Sequence, residues 1–178
     1  MKIIQLGNPS LRAIAQPIEN IQEAKIQTLI NELISTVVEA NGVGIAAPQV
    51  AQSDRAIVVA SRPNPRYPDA PFMEPMAMIN PEIVARSPEM VKGWEGCLSV
   101  PGIRGFVPRH RAIEIEYLDR HGQPCRQVLT DFVARIFQHE YDHLEGLIFL
   151  DRVETTQDLM TEAEYQERVI SNGMDNNQ

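Results

Sequence analysis

Apolar side chains recur at three- and four-residue intervals over residues 21–40, and this spacing predicts an amphipathic helix. One face collects branched aliphatic residues, namely Ile26, Leu29, Ile30, Leu33 and Val37. Asn41-Gly42 follows the last of them, and we predict that the glycine adopts the left-handed conformation that ends the helix. This segment is therefore expected to pack one side against a core.

A second helix is predicted from Phe132 to Leu144, with Thr130-Asp131 as its N-terminal cap and Gly146 after its end. At 100° per residue, apolar side chains cover nearly its whole circumference. They are Phe132 and Ile136 on one face, with Val133, Phe137, Tyr141 and Leu144 on the other. A helix that is apolar on both sides is predicted to lie at the centre of the fold.

Short apolar or alternating runs predict several strands. Residues 56–60 are continuously apolar, which indicates a buried strand, and residues 113–118 alternate like a strand with one exposed face. Residues 125–129 return after a turn to complete a hairpin. The apolar run Met76–Ile79 precedes a predicted turn at Asn80-Pro81, and residues 147–150 are predicted to form a short final strand.

Turns join most of these strands, so we predict an α+β fold in which short mixed or antiparallel strands surround a central helix. Residues 61–75 carry five prolines and form a surface loop, a candidate border of a site entrance. Residues 161–170 are predicted to form a short helix, and residues 171–178 a polar tail that frays. Because no repeat or shift of composition divides the chain, residues 1–178 are predicted to form a single domain.

Composition and charge exclude several classes of protein. The 178 residues include 24 acidic and 16 basic side chains, a net charge of −8, whereas proteins that bind DNA need a basic surface. No apolar run is long enough to span a bilayer, and residues 1–8 lack the pattern of a secretory signal. Cys97 and Cys125 are too few for a disulfide framework. We therefore expect a cytoplasmic protein that binds neither DNA nor membrane.

The strongest chemical signal is His139-Glu140-Tyr141-Asp142-His143 on the central helix. Histidines four residues apart project from the same face and can bind one metal ion, while the intervening glutamate can hold a water molecule beside it. The alternative is a pair of histidines without a ligand. Two imidazoles on a buried helix need partners, which favours the metal site. Arg135, one turn earlier, is a candidate for the mouth of a pocket.

A catalytic metal site requires a third protein ligand. The position where some zinc proteases carry a further histidine is Phe149. Two kinds of candidate are left: a downstream carboxylate, from Glu162 or Glu164, and the thiolate of Cys97 in the segment Glu95-Gly96-Cys97-Leu98-Ser99. The residues by themselves leave this choice open.

A third segment, Gly42-Val43-Gly44-Ile45-Ala46-Ala47-Pro48-Gln49, has small residues that allow close approach of another backbone and ends in an amide that can donate a hydrogen bond. A glycine-rich turn is a weak signal on its own. In order and spacing, however, this segment, Glu95–Ser99 and Gln138–His143 resemble the three motifs of the peptide deformylases. The resemblance extends from the N-terminal arm to about Val153.

This resemblance implies one divalent metal ion with water as the fourth ligand, bound by Cys97, His139 and His143. Fe(II) is the expected ion in the cell, and zinc, nickel or cobalt can replace it. Glu140 would transfer a proton from the water to the leaving amine. The side-chain amide of Gln49 and the backbone N–H of Leu98 would hold the formyl oxygen as it gains charge.

The implied reaction is hydrolysis of the N-terminal formyl group of formylmethionyl nascent peptides, with release of formate. The peptide would pair as an added strand with Val43-Gly44 and with Gly96. The implied pocket for the methionine side chain is lined by Val43, Glu95, Arg104, Ile136 and His139. The ribosome is a candidate partner, although the residues after Phe149 are acidic and lack the basic helix with which some family members contact ribosomal RNA.

Two other classes of function stay open. One is a protease with a downstream glutamate as third ligand, which would keep its metal when Cys97 is replaced by serine. The other is a binding module with a closed structural zinc site, in which Glu140 would be dispensable. We also predict that Arg109, which follows the cysteine motif, pairs with Asp142 and joins the two ligand segments. The alternative for this pair is two solvated charges.

Overall fold

Two antiparallel sheets share one buried helix. The computed structural model describes residues 1–171. The first sheet contains five strands, β1 (Gly44–Ala46), β2 (Ala56–Val59), β3 (Met76–Arg86), β6 (Ala112–Leu118) and β7 (Pro124–Thr130), in the order β1-β2-β3-β6-β7. The second contains three, β4 (Met90–Cys97), β5 (Val100–His110) and β8 (Leu159–Thr161), in the order β4-β5-β8. The architecture confirms the predicted α+β class.

The helices are α1 (Ala24–Glu39), α2 (Asp131–Leu144) and α3 (Glu162–Tyr165), which continues as a π-helical segment over Gln166–Ser171. In the described part of the chain, four short 3₁₀ helices cover Pro9–Arg12, Ala47–Val50, Phe149–Arg152 and Thr156–Asp158. Within residues 1–171, no helix combines the length and apolar character needed to cross a membrane. The polar tail predicted for 171–178 falls, after Ser171, outside the described residues.

The central position predicted for α2 is confirmed. Nine of its residues are buried, and it contacts β1 and β2 of the first sheet as well as β5 of the second. Its apolar faces therefore hold the two sheets together. Burial of its two histidine side chains is unfavourable in free energy unless their ring nitrogens have hydrogen-bond or metal partners inside the fold.

Both ends of α1 differ from the prediction. The helix begins at Ala24 rather than at residue 21, because the side chain of Asn20 accepts a hydrogen bond from the Gln22 N–H (3.2 Å) and holds the preceding residues in a turn. At the other end the left-handed residue is Asn41 (φ 51°), not Gly42. Gly42 is instead closely packed, since a Cβ there would lie 3.0 Å from Cδ1 of Leu98.

Two predicted elements take a different form. The turn predicted at Asn80-Pro81 is an irregularity within β3, where Asn80 has a φ of 48° and the register with β6 shifts. Its side chain bonds both the N–H and the C=O of Ile18, which stabilises that conformation. The strand predicted over 147–150 is replaced by the 3₁₀ helix that begins at Phe149. There the Asp151 carboxylate accepts a hydrogen bond from the Ile148 N–H (2.8 Å).

The hairpin of β4 and β5 was not predicted, although it carries the cysteine motif. Glycines and prolines interrupt its alternating pattern, at Gly93, Gly96, Pro101, Gly102, Gly105 and Pro108. The two glycines of β4 lie against arginine side chains, and the two prolines lie in β5 outside residues 103–105, the part of this strand that pairs with β8. The hairpin predicted from 113–118 and 125–129 is present as β6 and β7, and the predicted strand over 56–60 is present as β2.

Candidate metal centre and active site

Three buried side chains from two elements converge on one point. Cys97 is the last residue of β4, and His139 and His143 lie one turn apart on α2; one ligand atom from each lies within 4.8 Å of the others. Cys97 Sγ and His143 Nε2 are 3.3 Å apart. Two ligands at ordinary zinc bond lengths and a tetrahedral angle would be roughly 3.5 Å apart, so the spacing suits one shared ion.

The surroundings of these side chains also suit a cation. Glu95 Oε2 accepts a hydrogen bond from Nδ1 of His139 (2.9 Å), which turns the other ring nitrogen towards Cys97. Burial lowers the pKa of His143 well below its usual value, which keeps its imidazole neutral. For His139 burial has the same effect, but hydrogen bonds with Cys97 and Glu95 outweigh it and raise the pKa. The Cys97 thiol and the Glu95 carboxylate, which favour a proton on His139, would also favour a metal cation between Cys97 and the two histidines. These residues therefore fit a divalent ion.

The structure distinguishes between the two candidates for a third ligand. Glu162 is bound to Arg104, and Glu164 is paired with Arg168. Among residues 1–171, the group of potential ligands that converge around the two histidines contains Cys97 and no carboxylate. Geometry therefore favours the thiolate as the third ligand.

Glu140 lies beside the three candidate ligands with its carboxylate against β1. A Cβ at Gly44 would lie 2.8 Å from Cγ2 of Ile136 and closer still to that carboxylate, so the glycine makes room for it. Oε2 of Glu140 is buried and has no hydrogen-bond partner in the described part of the chain. Burial raises the pKa of Glu140 to about 7. A carboxyl group that titrates near neutrality can both take up and release a proton.

Gln49 points a fixed donor towards Cys97. The Ala46 N–H donates to Oε1 of Gln49 (2.8 Å), which leaves the amide nitrogen facing Cys97 Sγ (3.4 Å) and Ser99 Oγ (3.2 Å). Leu98 occupies the turn between β4 and β5 and lines the same cavity. Both residues predicted to bind the formyl oxygen therefore lie next to the candidate metal centre.

A narrow cavity of about 40 Å³ opens at this point and adjoins a wider cleft of about 480 Å³. Of the predicted site residues, the cavity is lined by Val43, Gly44, Gln49, Glu95, Gly96, Cys97, Leu98, Ile136, His139 and Glu140. Further lining residues are Asn41, Gly42, Arg66, Tyr67, Phe132 and Arg135. The three sequence motifs thus form one continuous surface.

Arg104 is the predicted pocket residue that the structure places elsewhere. It is fully buried, and its Nε and Nη2 donate to the Glu162 carboxylate (2.6 and 3.0 Å). The rings of Tyr67 and Tyr165 lie 5.1 and 4.5 Å from its guanidinium carbon. A Cβ at Gly96 would lie 2.9 Å from the same carbon. Arg104 therefore lies behind Gly96 and is not among the residues that line the cavity.

Arg109 forms the predicted pair with Asp142 and also binds Glu95. Its Nη1 donates to Asp142 Oδ2 (2.6 Å), while Nε and Nη2 donate to the two carboxylate oxygens of Glu95 (2.9 and 3.0 Å). Arg152 adds a second contact to Asp142 (2.7 Å). Burial opposes the charge of Glu95, but Arg109 and His139 outweigh it and hold its pKa well below the usual range. The network joins β4, β5 and α2 beneath the candidate ligands.

Arg135 forms the wall between the cavity and the cleft. Its Nη1 donates to Glu95 Oε1 (2.9 Å) and to the Val107 carbonyl (2.7 Å), and its Nη2 donates to the Val91 carbonyl (2.5 Å). A Cβ at Gly93 would lie 2.8 Å from the guanidinium carbon, so the glycine admits this side chain. The predicted position of Arg135 at the pocket mouth agrees with this placement.

Sequence reasoning missed Arg66 and Tyr67, which come from the proline-rich loop and line both cavities. The ring of Tyr67 packs on that of Phe132, with 5.0 Å between centroids. Loop residues carry no periodicity from which such contacts could be predicted. The density of prolines over 61–75 indicated a surface loop as a candidate border of the entrance, but not which of its side chains point inwards.

Comparisons with known proteins agree with this geometry. The sequence model of the family described as polypeptide deformylase matches residues 1–158. Peptide deformylase 2 of Nostoc sp. is 67% identical over 97% of this chain and 96% of the relative, and peptide deformylase 2 of Shewanella oneidensis is 46% identical over 85% and 83%.

Solved structures of similar fold lead to the same family. The class I type b peptide deformylase of Acinetobacter baumannii, bound to Met-Ala-Ser, has a TM-score of 0.84 at 46% identity, with 86% of this chain and 98% of that chain covered. The peptide deformylase of Thermotoga maritima has a TM-score of 0.78 at 36% identity, with 86% and 97% covered. On the evidence of its three motifs, its fold and these relatives, the chain belongs to the polypeptide deformylase family.

Proposed function

We propose that Cys97, His139 and His143 hold one divalent metal ion and that Glu140 acts beside it as the base of the reaction. As a peptide deformylase, the chain removes the formyl group from nascent formylmethionyl peptides and releases formate. The observation that carries the assignment of roles is the convergence of a thiol and two imidazoles within 4.8 Å, with a buried, unpartnered carboxylate oxygen of Glu140 next to them in the described chain.

A divalent ion at this site would act as a Lewis acid and make a coordinated water a better nucleophile near neutral pH. Glu140 accepts the proton of the attacking water at its free oxygen and passes it to the departing amine nitrogen. The amide of Gln49 and the backbone N–H of Leu98 donate to the formyl oxygen as negative charge develops on it. Glu95 keeps His139 in the orientation that directs its second nitrogen to the centre.

The substrate is positioned by backbone pairing. Val43-Gly44 presents an extended segment at one side of the cavity, and Gly96 lies on the other. Val43, Glu95, Ile136 and His139 form the pocket for the methionine side chain. The Acinetobacter baumannii relative binds Met-Ala-Ser, which supports a peptide that begins with methionine. Formyl is the smallest acyl group, so the narrow cavity favours it over acetyl.

Fe(II) is the ion proposed for the cell, with zinc, nickel or cobalt as replacements that the same donor set accepts. Residues 1–178 are proposed to act as a single catalytic domain in the cytoplasm, where formylated chains emerge from the ribosome. The residues after Phe149 carry seven acidic and two basic side chains, a composition unlike that of the basic helix with which some family members contact ribosomal RNA.

The test is anaerobic purification, elemental analysis and an assay of formate release from formyl-Met-Ala-Ser. We expect about one metal ion per chain and formate release that is lost when a chelator removes the ion. If the thiolate binds Fe(II), activity in air decays faster for the iron form than for the nickel form. Cleavage of an internal peptide bond without formate release would instead support the protease alternative.

A further inference from the structure

The hydroxyl group of Tyr67 accepts two hydrogen bonds at the edge of the active-site cavity. The Gly96 N–H donates to it (3.2 Å), and so does Nη1 of Arg104 (2.9 Å). A phenol oxygen has two lone pairs and one proton. With both lone pairs used, the proton is left to donate, and no hydrogen bond within residues 1–171 uses it. Tyr67 therefore presents a free donor where it lines the cavity.

This donor stands where a bound peptide would pair. β4 is an edge strand, and its partner β5 lies on only one side of it. The Gly96 N–H is already bonded to Tyr67, so a peptide that approaches this residue meets the tyrosine hydroxyl in place of the backbone donor. A carbonyl oxygen of the peptide that loses its water at this position needs a donor, because an unpaired backbone acceptor away from water is costly.

Neighbouring groups hold the ring and strengthen the donor. The Tyr67 ring packs on Phe132 and against the Arg104 guanidinium, and its backbone N–H and C=O both bond to Asn64 (3.0 and 3.2 Å). The charge of Arg104, which donates to the phenol oxygen, polarises the O–H bond and makes its proton a better donor. The hydroxyl is thus oriented before any peptide binds.

We propose that Tyr67 is a substrate-binding residue whose hydroxyl donates to a backbone carbonyl of the peptide beyond its first residue. The proline-rich loop is then part of the binding site, and Arg104 acts on the substrate through Tyr67. This inference rests on the proposed function. It replaces direct pairing of the peptide with the Gly96 N–H by pairing through the tyrosine.

The experiment compares Tyr67→Phe with Tyr165→Phe. Tyr165 is a matched control, because its ring lies on the same guanidinium but its hydroxyl donates to the Arg66 carbonyl (3.4 Å) and it does not line the narrow cavity. Formate release is measured on formyl-Met-Ala-Ser and on formyl-methionine N-methylamide, which has no carbonyl beyond the first residue. Metal content and melting temperature are recorded for each variant.

For Tyr67→Phe we expect a KM about 3- to 10-fold higher on formyl-Met-Ala-Ser with kcat within about twofold, the size of one lost hydrogen bond. Its kcat/KM on the N-methylamide stays within about twofold of wild type, and Tyr165→Phe matches wild type on both substrates. Calorimetric binding of Met-Ala-Ser should weaken by the same factor. This binding measurement tests the role of Tyr67 even if the wild-type protein releases no formate. Absence of formate release would contradict the proposed function itself.

Three outcomes would overturn the proposal. Unchanged KM for both substrates would mean that no carbonyl bonds to the hydroxyl. Equal losses on the tripeptide and the N-methylamide would indicate that Tyr67 only supports the fold. Faster turnover of the tripeptide by Tyr67→Phe would show that the tyrosine obstructs the Gly96 N–H and must be displaced by the substrate.

Discussion

Arg109 on β5 and Asp142 on α2 form a buried ion pair with 2.6 Å between Nη1 and Oδ2. β5 pairs with β4, which ends at Cys97, and α2 carries both histidines. Three of the elements that must meet to form the candidate centre are therefore joined by one side chain. Because Arg109 also binds both oxygens of Glu95, it fixes the residue that orients His139.

Separate and combined replacement of Arg109 and Asp142 by alanine should show strong coupling. Each single change leaves a buried charge with fewer partners and is expected to cost about 3–5 kcal/mol in the free energy of unfolding. The coupling energy should exceed about 1 kcal/mol in a double-mutant cycle by urea unfolding. The matched control is Arg126 and Glu116, an exposed pair on neighbouring strands, for which we expect less than about 0.5 kcal/mol. Additive losses for the buried pair would contradict the prediction.

Replacement of Cys97 by serine should remove the bound metal and formate release together. A neutral hydroxyl is a much weaker ligand than a thiolate, and the two imidazoles alone leave the site one ligand short. Elemental analysis of anaerobically purified protein measures the loss. Cys125→Ser serves as the control, because Cys125 lies in β7 outside the cavity and should keep full occupancy. A fully loaded Cys97→Ser protein would return the third-ligand role to a carboxylate.

Glu140→Gln should retain the metal and the binding of an uncleavable substrate mimic but release formate at least about a hundredfold more slowly. The amide preserves the shape against Gly44 and removes the base. Glu145→Gln, at the end of the same helix, is the control, since Glu145 bonds only to the Arg55 guanidinium among charged partners in the described chain. A loss below tenfold with intact metal content would take Glu140 out of the mechanism.

Glu162 should stabilise the fold in a pH-dependent way. Burial opposes its charge, but hydrogen bonds from Arg104 and Gln166 outweigh that and lower its pKa. A lowered folded pKa gives stability that is present above the unfolded value of about 4.3 and is lost as pH falls through the folded value. We expect Glu162→Gln to cost about 1–2 kcal/mol at pH 7 and progressively less as the pH falls below the unfolded pKa.

Urea unfolding across pH 3–7 checks this expectation. Glu164→Gln is the control, because its partner Arg168 is exposed and the pair should contribute little at any pH. A difference between wild type and Glu162→Gln that does not change with pH would indicate that the carboxylate stays charged or that packing, not charge, stabilises this contact.

The spacing of apolar residues along the sequence was enough to predict the helices and strands whose buried side chains recur at a regular interval. Most of α1 and the hairpin of β6 and β7 were predicted because their apolar residues repeat at a regular interval, and α2 because capping residues bound its apolar segment. β4 and β5 were not predicted, because glycines interrupt their alternating pattern. One of these glycines, Gly96, packs against the side chain of Arg104 from a different part of the chain. The tertiary contact that favours glycine at such a position is visible only in the folded structure and cannot be read from a single sequence.

In the candidate site, too, the residues with a regular local spacing were predicted and those placed by tertiary contacts were not. Spacing on one helix predicted His139, Glu140 and His143 as a group, but could not choose Cys97 over a carboxylate without the resemblance to a family. Arg104 was assigned to the methionine pocket, whereas Glu162, 58 positions later in the chain, holds it behind Gly96. Tyr67 went unnoticed because its role depends on how a loop without periodicity is folded.

Gly93 and Arg135 constrain each other's evolution. The guanidinium occupies the volume that any side chain at position 93 would need, with 2.8 Å from an added Cβ to its central carbon. Alanine at position 93 would have to displace the Arg135 guanidinium from its hydrogen bonds with Glu95 and the Val107 carbonyl, whereas loss of the arginine leaves Glu95 with one partner fewer and a void beside position 93. We therefore expect these positions to covary across relatives, with each pairing giving the wall between cavity and cleft its own shape and polarity.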